Sequence, residues 1–296
     1  MAKTKADESL AEAEKLWIEG QTQRAREAYR RARLLYREQP DPAGEAQALT
    51  QLGDLEARLG HIDAAREAFV AARALMAPQG EQRDQAALLA RLGDLAHRQG
   101  DTGEARTCYQ ASRTMMSSAG DVSGEAHALK RLGHIERDEG RQDVALDLYT
   151  QALGLYRSVA DGLGEAAALR ALSGVERTLG HPELAHAHLD RALTLFREAG
   201  DVLGEANATT SLGQLLRALG NVAKARQSFE RAAELYAQAG HLGGEADLLF
   251  ELGRLEGPID HDKARHHFQR AADLYDRAGA NEDRERALKE LFALGR

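Results

Sequence analysis

Residues 49–76 run LTQLGDLEARLGHIDAAREAFVAARALM. Leu49, Leu52, Leu55 and Leu59 form one apolar stripe at helical spacing, and Ala65, Phe69, Ala72, Leu75 and Met76 form a second. Two amphipathic helices are expected. Gly60 divides them, where a helix C-terminus takes a left-handed residue, and Asp63 stands in the opening turn of the next helix. The unit is a helical hairpin. Gly53, Ala65 and Ala72 are its small residues, placed where a larger side chain would push packed helices apart.

The hairpin repeats along the chain. Gly20, Gly60, Gly100, Gly140, Gly180 and Gly220 stand 40 residues apart, as do Ala25, Ala65, Ala105, Ala145, Ala185 and Ala225. A second series, Gly53, Gly93, Gly133, Gly213 and Gly253, keeps the same interval; Ser173 fills its one gap, with Gly174 beside it. A leucine precedes each member, from Leu52 to Leu252. The run Leu52-Gly53, Gly60, Ala65, Phe69, Ala72 and Leu75 resembles the tetratricopeptide repeat, whose usual unit is about 34 residues. The extra length here falls around turns such as 120–125 (Gly-Asp-Val-Ser-Gly-Glu) and 200–205 (Gly-Asp-Val-Leu-Gly-Glu). In this it looks like the long-helix subtype of Partner-of-Inscuteable-type adaptors.

The resemblance implies an all-α, right-handed solenoid over residues 1–296, with the first helix of each pair lining the concave wall. Seven hairpins are expected, at about 5–38, 43–78, 82–118, 123–158, 163–198, 203–238 and 243–278, then a capping helix at about 281–294. The ends depart from the pattern. Ala13 takes the glycine's place in the first hairpin, with Trp17 and Ile18 after it. The seventh loses one residue at Gly257-Pro258, so its alanine is Ala264 and its aromatic Phe268, and Phe292 replaces the glycine in the last helix. Such ends read as caps. Burying a Leu or Phe contributes ~1.5–3 kcal/mol, too little for a lone hairpin to offset its ordering entropy but enough when neighbours share interfaces.

Composition agrees. Hydrophobic residues make up 43% of the chain and aromatics only 5%, and β-branched residues are scarce, so no sheet is expected. The net charge of -8 disfavours a surface given over to nucleic acid. The single cysteine, Cys108, excludes an intramolecular disulfide and reads as a small buried residue. No apolar run approaches the ~20 residues of a membrane span, and the polar first ten residues carry no leader pattern, so a cytoplasmic location is expected.

On each first helix, positions -6, -3, -2, +1, +4 and +5 from the repeat glycine share a face. In the third to sixth repeats that face carries Arg91, Asp94 and Arg98; then His127, Lys130, Arg131, His134, Arg137 and Asp138; then Arg170 and Arg177; then Asn207, Gln214 and Arg217. Basic residues outnumber acids there in a chain that is acidic overall. Guanidiniums on a rigid wall pair with carboxylates or phosphates, so an acidic or extended peptide segment of a protein partner is the expected ligand. The alternative is that these arginines pair with glutamates of neighbouring helices, such as Glu136 and Glu176, or face water.

Toward one end the face carries Gln47, Thr50, Gln51, Asp54 and Arg58, and toward the other Asp247, Phe250, Glu251 and Arg254. Phe250 is either an apolar anchor for the partner or a cover for the last hairpin. A carboxylate clamp of the kind known in this family needs an asparagine just after the glycine; here stand Asp54, Asp94, His134, Gly174, Gln214 and Arg254.

The histidines do not define a metal site. His181, His186 and His188 cluster without a completing ligand, while His61, His181 and His241 share one turn slot and are expected to be solvated. No phosphate loop, nucleophile elbow or zinc-protease helix is present. Neither an enzyme nor a cofactor is expected. A protein-interaction scaffold follows, with a self-assembling scaffold and a receptor or regulator for a peptide signal as alternatives. RNA binding is disfavoured because few aromatics line the wall.

Overall fold

The computed structural model describes residues 4–76 and 82–295, which contain fifteen α-helices and no strand. The chain is an all-α solenoid of helical hairpins and divides into two compact units, Met1–Glu139 and Gly140–Arg296. The first holds α1 (Lys5–Ile18), α2 (Thr22–Glu38), α3 (Pro42–Arg58), α4 (Ile62–Met76), α5 (Gln82–Arg98), α6 (Thr102–Ser118) and α7 (Val122–Asp138). The second holds α8 (Gln142–Ser158), α9 (Gly162–Leu179), α10 (Pro182–Ala199), α11 (Val202–Ala218), α12 (Val222–Gln238), α13 (Leu242–Glu256), α14 (His261–Ala278) and α15 (Asn281–Ala293). The end of the second hairpin, expected at 78, lies outside the described residues.

Within the first unit α1 packs on α2, α3 on α4 and α5 on α6, and successive hairpins join through α2–α3, α4–α5 and α6–α7. The second unit follows the same rule from α8–α9 to α14–α15. The repeat glycine in the middle of five of the seven first helices makes this packing close. A Cβ on Gly53 would lie 2.5 Å from the Phe69 ring, and on Gly93 2.6 Å from the Tyr109 ring; Gly213 meets Phe229 and Gly253 meets Phe268 in the same way. Ser173 is the exception that explains the rule. Sixteen residues on, the aromatic slot holds Leu189 instead of a ring, and the narrower side chain leaves room for the buried serine, whose hydroxyl donates to the Arg170 carbonyl at 2.7 Å. Gly174 has open space around its Cα and does not take over the role.

The turns follow the expected chemistry. Asp121 and Asp201 are N-caps whose carboxylates accept from the backbone N–H of Gly124 and Gly204 at 2.8 and 2.9 Å. The histidines of the shared turn slot are exposed, as expected, and each also has a partner. His241 caps α13 by accepting from the Gly244 N–H at 2.9 Å, while His61 and His181 lie 2.7 Å from the buried Glu56 and Glu176. The physical reason is a charge demand: each of these glutamates sits inside a hairpin stack and requires donors. Cys108 is half-buried beside the α3–α6 core, and burial pushes its thiol up.

Candidate functional site

Each unit has its own first-helix face, built from α3, α5 and α7 in the first and from α9, α11 and α13 in the second. Arg91, Arg131 and Arg217 are tied to acids one repeat away. Arg91 donates through Nε to Asp54 at 2.8 Å. Arg131 donates to both oxygens of Asp94, through Nε at 2.7 Å and Nη2 at 2.9 Å, and Asp94 also accepts from the Tyr109 hydroxyl at 2.7 Å. Arg137 pairs with Asp138 at 2.7 Å. In the second unit Arg217 pairs with Glu251, which Arg254 also approaches at 3.4 Å.

The glutamates expected as alternative partners serve elsewhere. Glu136 takes Arg106 from α6 at 3.0 Å, and Glu176 takes His181. Glu56 and Glu256 occupy the same slot, paired at 2.7 Å with Arg26 of α2 and Arg226 of α12. All four are buried; Glu56, Glu136 and Glu256 take an arginine from the preceding hairpin and so lock neighbours together, whereas Glu176 bonds the turn of its own hairpin. Their signal in the sequence was a glutamate recurring three residues after the repeat glycine.

The remaining predicted residues divide by exposure. His127 is exposed on α7, and Lys130 and His134 are half-buried beside it; Arg170 is half-buried on α9. Asn207 is internally satisfied, accepting from the Tyr236 hydroxyl at 2.9 Å and donating to the Leu203 carbonyl at 2.8 Å. Gln214 is exposed and lines a cavity of about 280 Å³ with Arg217 and Phe250. Of the two readings of Phe250, burial favours the cover: only 6% of it is exposed, because its ring packs edge-on against Phe268 at 5.5 Å and the Arg286 guanidinium covers it at 4.7 Å. It closes the last hairpin instead of projecting as an anchor.

Two predicted arginines and one from the neighbouring end of the face keep no carboxylate partner among the described residues. Arg98 is exposed and donates to the Ala57 carbonyl at 2.7 Å. Arg177 is exposed on α9. Arg58 lies 5.5 Å over the Trp17 ring. Arg58, Arg98 and the paired Arg91 line a cavity of about 380 Å³ in the first unit, together with Trp17, Tyr29 and Phe69. That cavity was not foreseen, because its walls come from five helices in three repeats. Among the described residues no group of three or more His, Cys, Asp or Glu side chains is placed to hold a metal, and no helix is long and apolar enough to cross a membrane.

This geometry, a glycine in the first helix facing a ring from the second and repeated hairpin on hairpin, defines a helical-repeat interaction fold. The tetratricopeptide repeat model matches residues 84–158, 126–198 and 204–277, and the chain belongs to that family. No curated protein matches the sequence. Among solved structures, the chain is similar to aspartyl phosphate phosphatase F from Bacillus subtilis (TM-score 0.74, 10% identity, covering 91% of this chain and 70% of that one). It is also similar to a tetratricopeptide repeat protein from Parabacteroides merdae (TM-score 0.63, 16% identity, 96% and 98%). A third is a Rap protein complexed with competence and sporulation factor (TM-score 0.63, 12% identity, 98% and 97%). At these identities the likeness is one of fold.

Proposed function

We propose that the chain is a protein-interaction adaptor whose first-helix faces hold an acidic, extended segment of a partner. The reading treats residues 1–296 as one repeat array of the long-helix subtype that Partner-of-Inscuteable-type adaptors resemble, working without a cofactor or catalytic step. The observation that carries it is the exposure of Arg98 and Arg177 on that face with no carboxylate bound to either among the described residues. Around Arg98, paired side chains such as Arg91–Asp54 and Arg131–Asp94 form a hydrogen-bonded frame, so an arriving carboxylate meets a donor whose surroundings are already ordered. The Rap protein complexed with competence and sporulation factor supports the reading, as a chain of similar fold holding another molecule.

The test is affinity capture from native lysate with the intact protein beside an Arg98→Glu, Arg177→Glu variant. Both positions are exposed, so helicity and melting should be unchanged. Loss of a specific partner with an acidic segment is the expected result; undiminished capture would remove the face from the account. A second reading, self-association through the terminal helices, draws on the exposed Ile18 of α1 (84%) and Phe292 of α15 (68%). A concentration-independent monomer in light scattering would dismiss it.

A further inference from the structure

The cavity of about 380 Å³ in the first unit combines aromatic walls with donors, Arg58, Arg98 and Tyr29, that are bound to no carboxylate among the described residues. Tyr29 is only 2% exposed, yet its hydroxyl has no hydrogen-bond partner among the described residues. In the same slot two repeats on, Tyr109 donates to Asp94 at 2.7 Å. The acid in the equivalent place of the first repeat, Glu14, is exposed and does not bond to Tyr29. Burial, Glu14 and Asp54 push the Tyr29 hydroxyl up, so it stays protonated and remains a donor. The hydroxyl is not sealed off but opens onto the cavity, where it can donate to a bound acceptor.

The charged groups around it point the same way. The two acids of the lining are occupied, Asp54 by Arg91 and Asp94 by Arg131. Arg58 lies over the Trp17 ring, and Arg98 spends a single hydrogen bond on the Ala57 carbonyl. What the cavity offers is therefore two guanidiniums and a phenol, with the rings of Trp17 and Phe69 in its walls. A carboxylate gains charge-assisted hydrogen bonds from the first three. An aromatic or apolar body gains those rings. A cationic ligand meets like charge.

We propose that this cavity is a binding pocket for a carboxylate carried on an aromatic or apolar body, with Arg58, Arg98 and the Tyr29 hydroxyl holding the anion and Trp17 and Phe69 holding the body. An acidic side chain flanked by an apolar one in a partner segment has this chemistry, and so does a free aryl carboxylate. Only the first source rests on the adaptor reading.

Trp17 is the single tryptophan of the chain, so its emission reports the pocket directly. The full-length protein is titrated with 3-phenylpropionate, with 3-phenylpropionamide, and with a tryptophan-free, end-blocked peptide bearing one glutamate beside one phenylalanine. A saturable change in Trp17 emission with 3-phenylpropionate is expected, with the amide at least about tenfold weaker. Tyr29→Phe, which keeps the ring, and Arg98→Ala, at an exposed position, should each weaken binding about five- to tenfold without lowering the melting temperature. Tighter binding of the peptide assigns the pocket to a partner segment, and tighter binding of the free acid assigns it to a small carboxylate. Absence of a saturable response to either acid overturns the pocket, as does equal binding of the amide. A saturable response with no partner captured from lysate leaves the pocket standing and removes the adaptor reading alone.

Discussion

Arg131 of α7 grips Asp94 of α5 with two parallel hydrogen bonds, Nε to one oxygen at 2.7 Å and Nη2 to the other at 2.9 Å, across 37 residues of sequence. The pair ties one hairpin to the next on the face proposed to meet the partner, and Arg91–Asp54 repeats it one unit earlier. Both side chains of the pair are about one-third exposed, so solvent screens them and the net contribution is about 1 kcal/mol. Asp94→Ala should destabilise the protein by that order, read as a lower urea midpoint, and slightly more than Arg131→Ala, because it also strands the Tyr109 hydroxyl. A double-mutant cycle measures the pair: zero coupling energy would show that it contributes no stability.

The fit of glycine against ring predicts a compensating swap. Gly53→Ser places a Cβ within 2.5 Å of the Phe69 ring, and overpacking of this kind costs about 1–3 kcal/mol. Adding Phe69→Leu reproduces the native Ser173–Leu189 combination and should recover part of the loss, so the double variant should melt above Gly53→Ser. Strict additivity of the two destabilisations would contradict the packing account.

Burial pushes the Glu56 carboxyl up, but hydrogen bonds from His61 and Arg26 and their charges outweigh it, leaving the group below its ordinary value of 4.5. A carboxylate depressed on folding contributes stability that is present above its unfolded value and lost as pH falls through its folded value. Glu56→Gln should therefore cost most near neutral pH, about 3 kcal/mol, and the gap to the native protein should shrink as pH falls below 4.5. Urea midpoints of both proteins across that range supply the comparison; a constant gap would contradict the assignment.

Ala160, in the turn between α8 and α9, has a φ of 54°, where Gly200 and Gly240 fill the matching turns at 67° and 69°. A left-handed alanine costs roughly 1–2 kcal/mol that glycine does not. Ala160→Gly should raise the melting temperature despite the greater freedom of glycine in the unfolded chain. A lower melting temperature would show that the turn carries no strain.

Most of the architecture is legible because one contact recurs. In most repeats a ring from the second helix packs where the first helix lacks a side chain, and the 40-residue interval writes that contact into the chain again and again. Even the lapse at Ser173 can be read once Leu189 is placed opposite it. The face is a different matter. Angular arithmetic within one helix puts Arg91 and Arg131 on it, but their charge is cancelled by Asp54 and Asp94 on the helix before, which counting within a single repeat hides. Comparing position +1 of one repeat with position -2 of the next would have paired Asp54 with Arg91 and Asp94 with Arg131. Phe250 was ambiguous for a related reason: its cover, Arg286, comes from a helix outside the repeat. The unbonded hydroxyl of Tyr29 has no signature of its own, since the same slot in Tyr109 is satisfied.

The central claim is that the first-helix face meets the partner. It is tested most directly by placing a photo-crosslinking residue at Gln51 or Gln214 on that face and, separately, at the exposed Val70 of the second helix α4. The account predicts crosslinks to a partner from Gln51 and Gln214, abolished by Arg98→Glu with Arg177→Glu, and none from Val70. Crosslinks from Val70 alone would contradict it.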